Sequence, residues 1–196
     1  MKPIKGFEAK KRGGYPVLPP KGAYVAEIKQ ATHVSGENGY SDRIECMVEI
    51  TEGEYAGRYT EVWNDQKERF GDNVQFKGIF RLYIPNEGDE NYDGAMNRLQ
   101  GNLYCIQESN PGYVWDWDEK KLKGKKVGIN LRKYLYTYNG QDRETTEIGQ
   151  FETVEDVRNG KCKELRDRDK RKKQEEDSTD GSEFTDVSKN VDVPWA

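Results

Sequence analysis

The 196-residue sequence has few of the residues on which disulfide frameworks and zinc sites depend. Its three cysteines, Cys46, Cys105 and Cys162, are far apart and form no CxxC pair, and its only histidine is His33. An odd, dispersed set of thiols predicts free cysteines, and a single histidine leaves no zinc-ligand spacing. We therefore expect neither a metal ion nor another cofactor.

Long apolar segments are also absent. No stretch of about 18 apolar residues is present, as a membrane-spanning helix would require. The N-terminal residues, MKPIKGFEAKKRGGYP, lack the apolar stretch of a secretory signal. The sequence therefore predicts a soluble, cytoplasmic protein that does not enter a membrane.

Recognisable catalytic motifs are missing as well. The chain contains no Walker motif, no GxSxG elbow and no DxD or HxH metal spacing. The acids Asp89, Glu90 and Asp93 lie in a turn-like context rich in Gly and Asn, and leave a metal-dependent nuclease open as an alternative. We expect no catalytic residues and a protein that is not an enzyme.

Aromatic residues are abundant in a chain that is otherwise poor in apolar ones. Hydrophobic residues make up 33% of the sequence and charged residues 35%, with a mean hydropathy of −1.08. The chain nevertheless has 12 Tyr and 4 Trp. A small domain rarely buries so many amphipathic rings, so some of them are expected at a binding surface.

Charge is distributed unevenly along the chain. The net charge is −4, but residues 161–173 carry +5 and residues 174–196 carry −6, which leaves −3 on the first 160 residues. The pattern predicts an extended arm over residues 1–21, one domain over residues 22–160 and a charged, disordered tail over residues 161–196. Any site for a polyanion on the domain must then be a local stripe of cations.

The N-terminal half contains segments that alternate apolar and polar residues as β-strands do. Residues 22–34 predict a long strand, and residues 43–50 predict a second, with Glu49 facing outward and four residues facing inward: Ile44, Cys46, Val48 and Ile50. Residues 57–63, GRYTEVW, and residues 76–84, FKGIFRLYI, are interpreted as two further strands.

The C-terminal half predicts one helix followed by a long hairpin. Residues 91–110 place Met96, Leu99, Leu103 and Ile106 at helical spacing. Residues 125–138 alternate over a long stretch, and Asn139-Gly140 is a hairpin turn signal before the returning strand. The element order predicts a mainly β fold, an OB-like Greek-key barrel of five to six strands with one helix before the final hairpin.

Several segments together resemble a known family. They are GAYVAEIKQATHVS, EITEGEYAGRYTEVW, LKGKKVGINLRKYLYTYNGQ and a strand ending in GQFETV, within residues 20–155. They resemble phage- and prophage-encoded single-stranded DNA-binding proteins found beside recombination and replication genes. The resemblance implies an OB-type fold, no catalysis, and DNA bound by strand-face aromatics and basic residues in the cytoplasm of a bacterial host.

Binding single strands requires cations that contact phosphates and aromatic faces on which bases stack. Residues 125–138 supply both on one strand face, opposite an aliphatic face that includes Leu131 and Leu135. The candidate DNA-binding residues are Arg58, Trp63, Lys77, Arg81, Tyr83, Lys126, Arg132, Tyr134, Tyr136 and Tyr138. The strand-face tyrosines could instead cover a second small core or the interface of a homo-oligomer.

The C-terminus carries a second resemblance, to the acidic tip of bacterial single-stranded DNA-binding proteins. The matching residues are Asp192, Val193, Pro194 and Trp195, followed here by Ala196. The resemblance implies that this tip recruits replication or recombination proteins. An OB-like adaptor that binds protein rather than DNA stays open, because the domain itself is acidic.

Overall fold

The computed structural model describes residues 15–36 and 41–171. Within them the chain forms six strands, three α-helices and one 3-10 turn. The strands are β1 (Gly22–Val34), β2 (Arg43–Ile50), β3 (Ile79–Tyr83), β4 (Lys126–Tyr138), β5 (Gln141–Glu152) and β6 (Arg168–Asp169). The helices are α1 (Arg58–Phe70), α2 (Tyr92–Glu108) and α3 (Val154–Arg158), and the 3-10 turn spans Glu119–Leu122.

The six strands belong to one sheet that is not closed. The antiparallel strands follow the order β3-β2-β1-β4-β5, and β6 pairs with β4 in parallel. No backbone ladder joins β3 to β5 in the described parts of the chain, and α2 packs against both strands. The predicted mainly β fold is confirmed, and so is the helix before the final hairpin. Within residues 15–36 and 41–171 the sheet does not close into a barrel.

Strand β2 shows the alternation that its sequence predicts. Ile44, Cys46, Val48 and Ile50 are all buried in the core. Burial raises the pKa of the Cys46 thiol to about 12, so this cysteine stays protonated and inert at neutral pH. Glu49 does not face solvent as expected, because it is only 6% exposed.

Helix α1 begins where the sequence predicted a strand. The segment GRYTEVW is rich in residues typical of strands, but Gly57 turns the chain at φ 75° and the helix starts at Arg58. Gly57 has no side chain that could cap the helix. The Glu49 carboxylate takes this role and accepts hydrogen bonds from the amides of Tyr59 (3.1 Å) and Thr60 (2.6 Å). A buried carboxylate at a helix N-terminus satisfies free amides and complements the helix dipole.

Helix α2 lies where helical spacing predicts it. Leu99, Leu103 and Ile106 are buried against the sheet. Gly101 does not interrupt the helix, and a Cβ added there would meet nothing within 4 Å.

The long hairpin of β4 and β5 forms around the predicted turn. Asn139 (φ 50°) and Gly140 (φ 72°) both adopt the left-handed conformation that a two-residue type I′ turn requires. On the core face of β4, Val127, Ile129 and Leu131 are fully buried. The first half of β4 is therefore packed in the core, and the second half of the strand extends beyond the core.

Residues 161–171 belong to the same folded unit, although the sequence predicted that a tail begins at residue 161. We call this segment the C-terminal strap. Its residues Arg168 and Asp169 pair with Tyr134 and Leu135 of β4. The strap occupies the edge of β4 that β1 leaves open, because β1 begins at Gly22 opposite Leu131.

Candidate nucleic-acid interface

An open cleft of about 860 Å³ lies where the sheet is not closed. Its lining comes from β3 and the segment just before it, one face of α2, the β4–β5 hairpin beyond Leu131, and Arg168 of the C-terminal strap. Leu18, and Gln66 of α1, complete it. Its lining includes the apolar residues Phe80, Leu82, Leu99 and Ile148, all of which also belong to the core. The floor of the cleft is thus apolar, and polar residues also line it.

The lining of the cleft is strongly cationic. Two acids, Glu144 and Glu147, face five cations: Lys77, Arg81, Arg98, Arg132 and Arg168. The lining therefore carries a net +3 in a chain whose net charge is −4. A local positive surface on an acidic protein favours a polyanionic ligand at this place.

The five cations differ in how they are held. Lys77 and Arg98 form no ion pair with any residue that the structure describes. Arg81 contacts the Glu45 carboxylate at 2.9 Å. Although partial burial of Glu45 acts to raise its pKa, the hydrogen bonds from Arg81 and Arg43 outweigh this and leave the pKa lowered. Lys77 and Arg98 are thus available to a ligand, whereas Arg81 is oriented by the Glu45 carboxylate.

Tyr134 and Tyr136 form a stacked pair on the wall of the cleft. Their ring centroids are 5.3 Å apart and the ring planes differ by 16°. Both belong to β4, where residues two apart project from the same face. The Tyr134 ring also meets the Arg168 guanidinium at 5.3 Å, whereas Tyr136 makes no other ring or cation contact with the described residues. Tyr136 therefore offers the better platform for a nucleobase.

The structure brings together six of the ten residues predicted for DNA binding. Those that line the cleft are Lys77, Arg81, Tyr83, Arg132, Tyr134 and Tyr136. On β3, Arg81 and Tyr83 are exposed while Phe80 and Leu82 are buried, as the predicted alternation requires.

The other four predicted residues lie outside the lining of the cleft. Arg58 and Trp63 are on α1, where Arg58 pairs with Glu61 and Trp63 packs against Phe76 with 5.9 Å between ring centroids. Their placement follows from the helix that replaces the expected strand. The remaining two are at opposite ends of β4, Lys126 at its first residue and Tyr138 beside the hairpin turn.

Two cations in the cleft were not predicted from the sequence. Arg98 lies on the face of α2 that also presents Ala95, Leu99 and Asn102 to the cleft. Helical spacing within residues 91–110 was a signal that could have found it. Arg168 had no such signal, because only the pairing of β6 with β4 brings it to this place.

Three further features of the sequence lie away from the cleft: the possible metal ligands, the acids in turns and the C-terminal tip. No group of three or more His, Cys, Asp or Glu that could hold a metal ion occurs in residues 15–36 and 41–171. Asp89 accepts a hydrogen bond from the Asn86 amide at 3.1 Å, as an acid in a turn does. The predicted partner-binding residues Asp192, Val193, Pro194 and Trp195 lie outside the described residues.

None of the helices that the structure describes is both long enough and apolar enough to span a membrane. Comparison of the chain with models of known protein families finds no match. Comparison with curated proteins also finds no match.

Proposed function

We propose that this protein binds single-stranded DNA in the cationic cleft, without catalysis, in phage DNA replication or recombination. The observation that supports this most is the composition of the cleft, which joins a net +3 lining to a stacked tyrosine pair in a protein of net charge −4. Phosphates require the cations, and unpaired bases require an accessible aromatic ring, which half-buried Tyr136 offers in the cleft.

The order of the strands supports an OB-like framework for this function. The order β3-β2-β1-β4-β5, with a helix between β3 and β4, is that of a five-stranded Greek-key barrel opened between its outer strands. Helix α1 is then an insertion between β2 and β3. OB folds bind oligonucleotides on such a partly open barrel, and the cleft lies at the opening.

We also propose that the acidic C-terminal residues recruit replication or recombination proteins. The support comes from the sequence, in which seven acids and one lysine occupy residues 174–196 and Trp195 lies near the end. A large aromatic side chain is the kind of residue that anchors a small interface.

A protein-binding adaptor is the alternative that one structural observation favours. The edges of β3 and β5 that face the cleft form no ladder with another described strand, and an extended peptide could pair with such an edge. The net +3 lining argues for a polyanion over a neutral peptide.

A titration with oligothymidine separates these functions. We expect DNA to quench the intrinsic Tyr fluorescence, because bases stack against the tyrosines of the cleft. Affinity should fall steeply with salt, with a slope of log K against log salt between roughly −1.4 and −3.5 for two to five phosphate contacts. No quenching at low salt, together with no change in anisotropy of a labelled oligothymidine, would favour the adaptor.

A further inference from the structure

The strap supplies part of the cleft. We propose that Arg132 of β4 and Arg168 of the strap form a clamp for a single phosphate of the bound strand, and that Glu147 occupies this clamp when DNA is absent. The proposal rests on the proposed function and extends it to a defined subsite. It assigns a binding role to a segment whose sequence indicated only a charged tail.

The geometry of Glu147 carries the proposal. One oxygen of its carboxylate contacts Arg132 at 2.8 Å, and the other contacts Arg168 at 3.4 Å. Two guanidinium groups from separate segments therefore converge on one anion, which stands where a phosphate would bind. Guanidinium groups bind carboxylate and phosphate oxygens with similar geometry, so one anion can replace the other.

The clamp lies beside the stacking platform. The Arg168 guanidinium is 5.3 Å from the Tyr134 ring, and the Lys170 ammonium is 5.9 Å from the same ring. Tyr134 in turn stacks with Tyr136. A strand with one base on Tyr136 would therefore pass Arg132 and Arg168 with a neighbouring part of its backbone.

The strap is held by contacts outside the cleft. The Lys21 ammonium contacts Asp167 at 2.8 Å and Glu164 at 2.7 Å, and the Asn130 side chain donates to the carbonyl of Lys163 at 2.9 Å. The hydrogen bond from Lys21 lowers the pKa of Asp167, which keeps that carboxyl charged. Asp167 directly precedes Arg168, so this anchor positions the guanidinium without lining the cleft itself.

Asp167→Asn separates two effects of Asp167 on DNA affinity: its negative charge, and its anchoring of Arg168. Removing a negative charge should strengthen DNA binding if only the overall field matters. If the anchor positions Arg168, binding to oligothymidine should instead weaken about threefold or more, as expected when a charge-assisted contact is loosened. Glu68→Gln removes the same charge from an exposed position on α1 and should leave the affinity unchanged or slightly higher.

Two further variants test the clamp directly in the full chain. Arg168→Met should weaken binding about tenfold and reduce the salt slope by about 0.7, the value for one lost phosphate contact. Glu147→Gln should strengthen binding because the internal competitor is weakened. If thermal unfolding shows that Arg168→Met does not fold, Arg168→Lys keeps the charge, loses the two-pronged geometry, and should weaken binding by a smaller factor.

The outcomes distinguish the clamp from the function. Suppose that the wild-type chain binds oligothymidine and that Asp167→Asn, Arg168→Met and Glu147→Gln bind it with the same affinity. That result would overturn the clamp and leave the proposed function standing. Failure of the wild-type chain to bind would overturn the function. Tighter binding by Asp167→Asn would also overturn the clamp, because position would then contribute nothing.

Discussion

Replacing Leu131 by Ala lowers the free energy of unfolding by about 2–5 kcal/mol, as expected for a fully buried leucine that leaves a cavity. Leu131 is 0% exposed and lies between β1 and β5, where it pairs with Gly22 and Ile148. Urea denaturation followed by circular dichroism measures the change. DNA affinity of the folded fraction should be nearly unaltered, since Leu131 does not line the cleft.

Leu135 provides a matched control for this prediction. It lies on the same face of the same strand, four residues further on, but it is only partly buried and outside the main core cluster. Leu135→Ala should therefore cost clearly less than Leu131→Ala. Equal costs, or a larger cost at Leu135, would contradict the partial burial of Leu135 and its position outside the main core cluster.

Replacing Tyr134 and Tyr136 together by Ala should weaken oligothymidine binding by about 2–6 kcal/mol, since each base stack contributes roughly 1–3 kcal/mol. Tyr136→Ala alone should account for more than Tyr134→Ala, because Tyr134 is already in contact with Arg168. The fold should survive, since neither ring belongs to the buried core. Fluorescence anisotropy of a labelled oligothymidine measures the loss.

Tyr104→Ala is the control for the tyrosine pair. Tyr104 is 56% exposed on α2 and does not line the cleft, so its removal should leave the DNA affinity unchanged. If the tyrosine double variant unfolds while its remaining folded fraction binds DNA normally, the assignment of faces on β4 is inverted.

The elements that the sequence predicted correctly are those with local signals. Alternation in residues 43–50, helical spacing in residues 91–110 and Asn139-Gly140 each act within a few residues. Helix α1 had no such signal, because its N-terminus is stabilised by Glu49, which is ten residues away from Tyr59 in the sequence. Tertiary contacts there override the strand preference of Tyr, Thr, Val and Trp.

The residues of the candidate site also divide into those with a local sequence signal and those without one. Alternation along β3 and β4 predicted Arg81, Arg132 and Tyr136 as site residues, because strand parity alone places them on the polar face. Arg168 reaches the cleft through a strand of two residues, Arg168–Asp169, that is too short to leave a pattern. A cation held by a long-range pairing cannot be found from local periodicity.

Competition between single-stranded and duplex DNA measures whether bases stack in the cleft. A labelled oligothymidine bound to the protein is displaced by unlabelled oligothymidine or by its duplex with oligodeoxyadenosine, at equal phosphate concentration and equal salt. If bases stack in the cleft, the duplex should compete at least about tenfold less well, because its base faces are hidden. Equal competition by the two forms would show that the cleft binds phosphates alone and that no base stacks on its tyrosines.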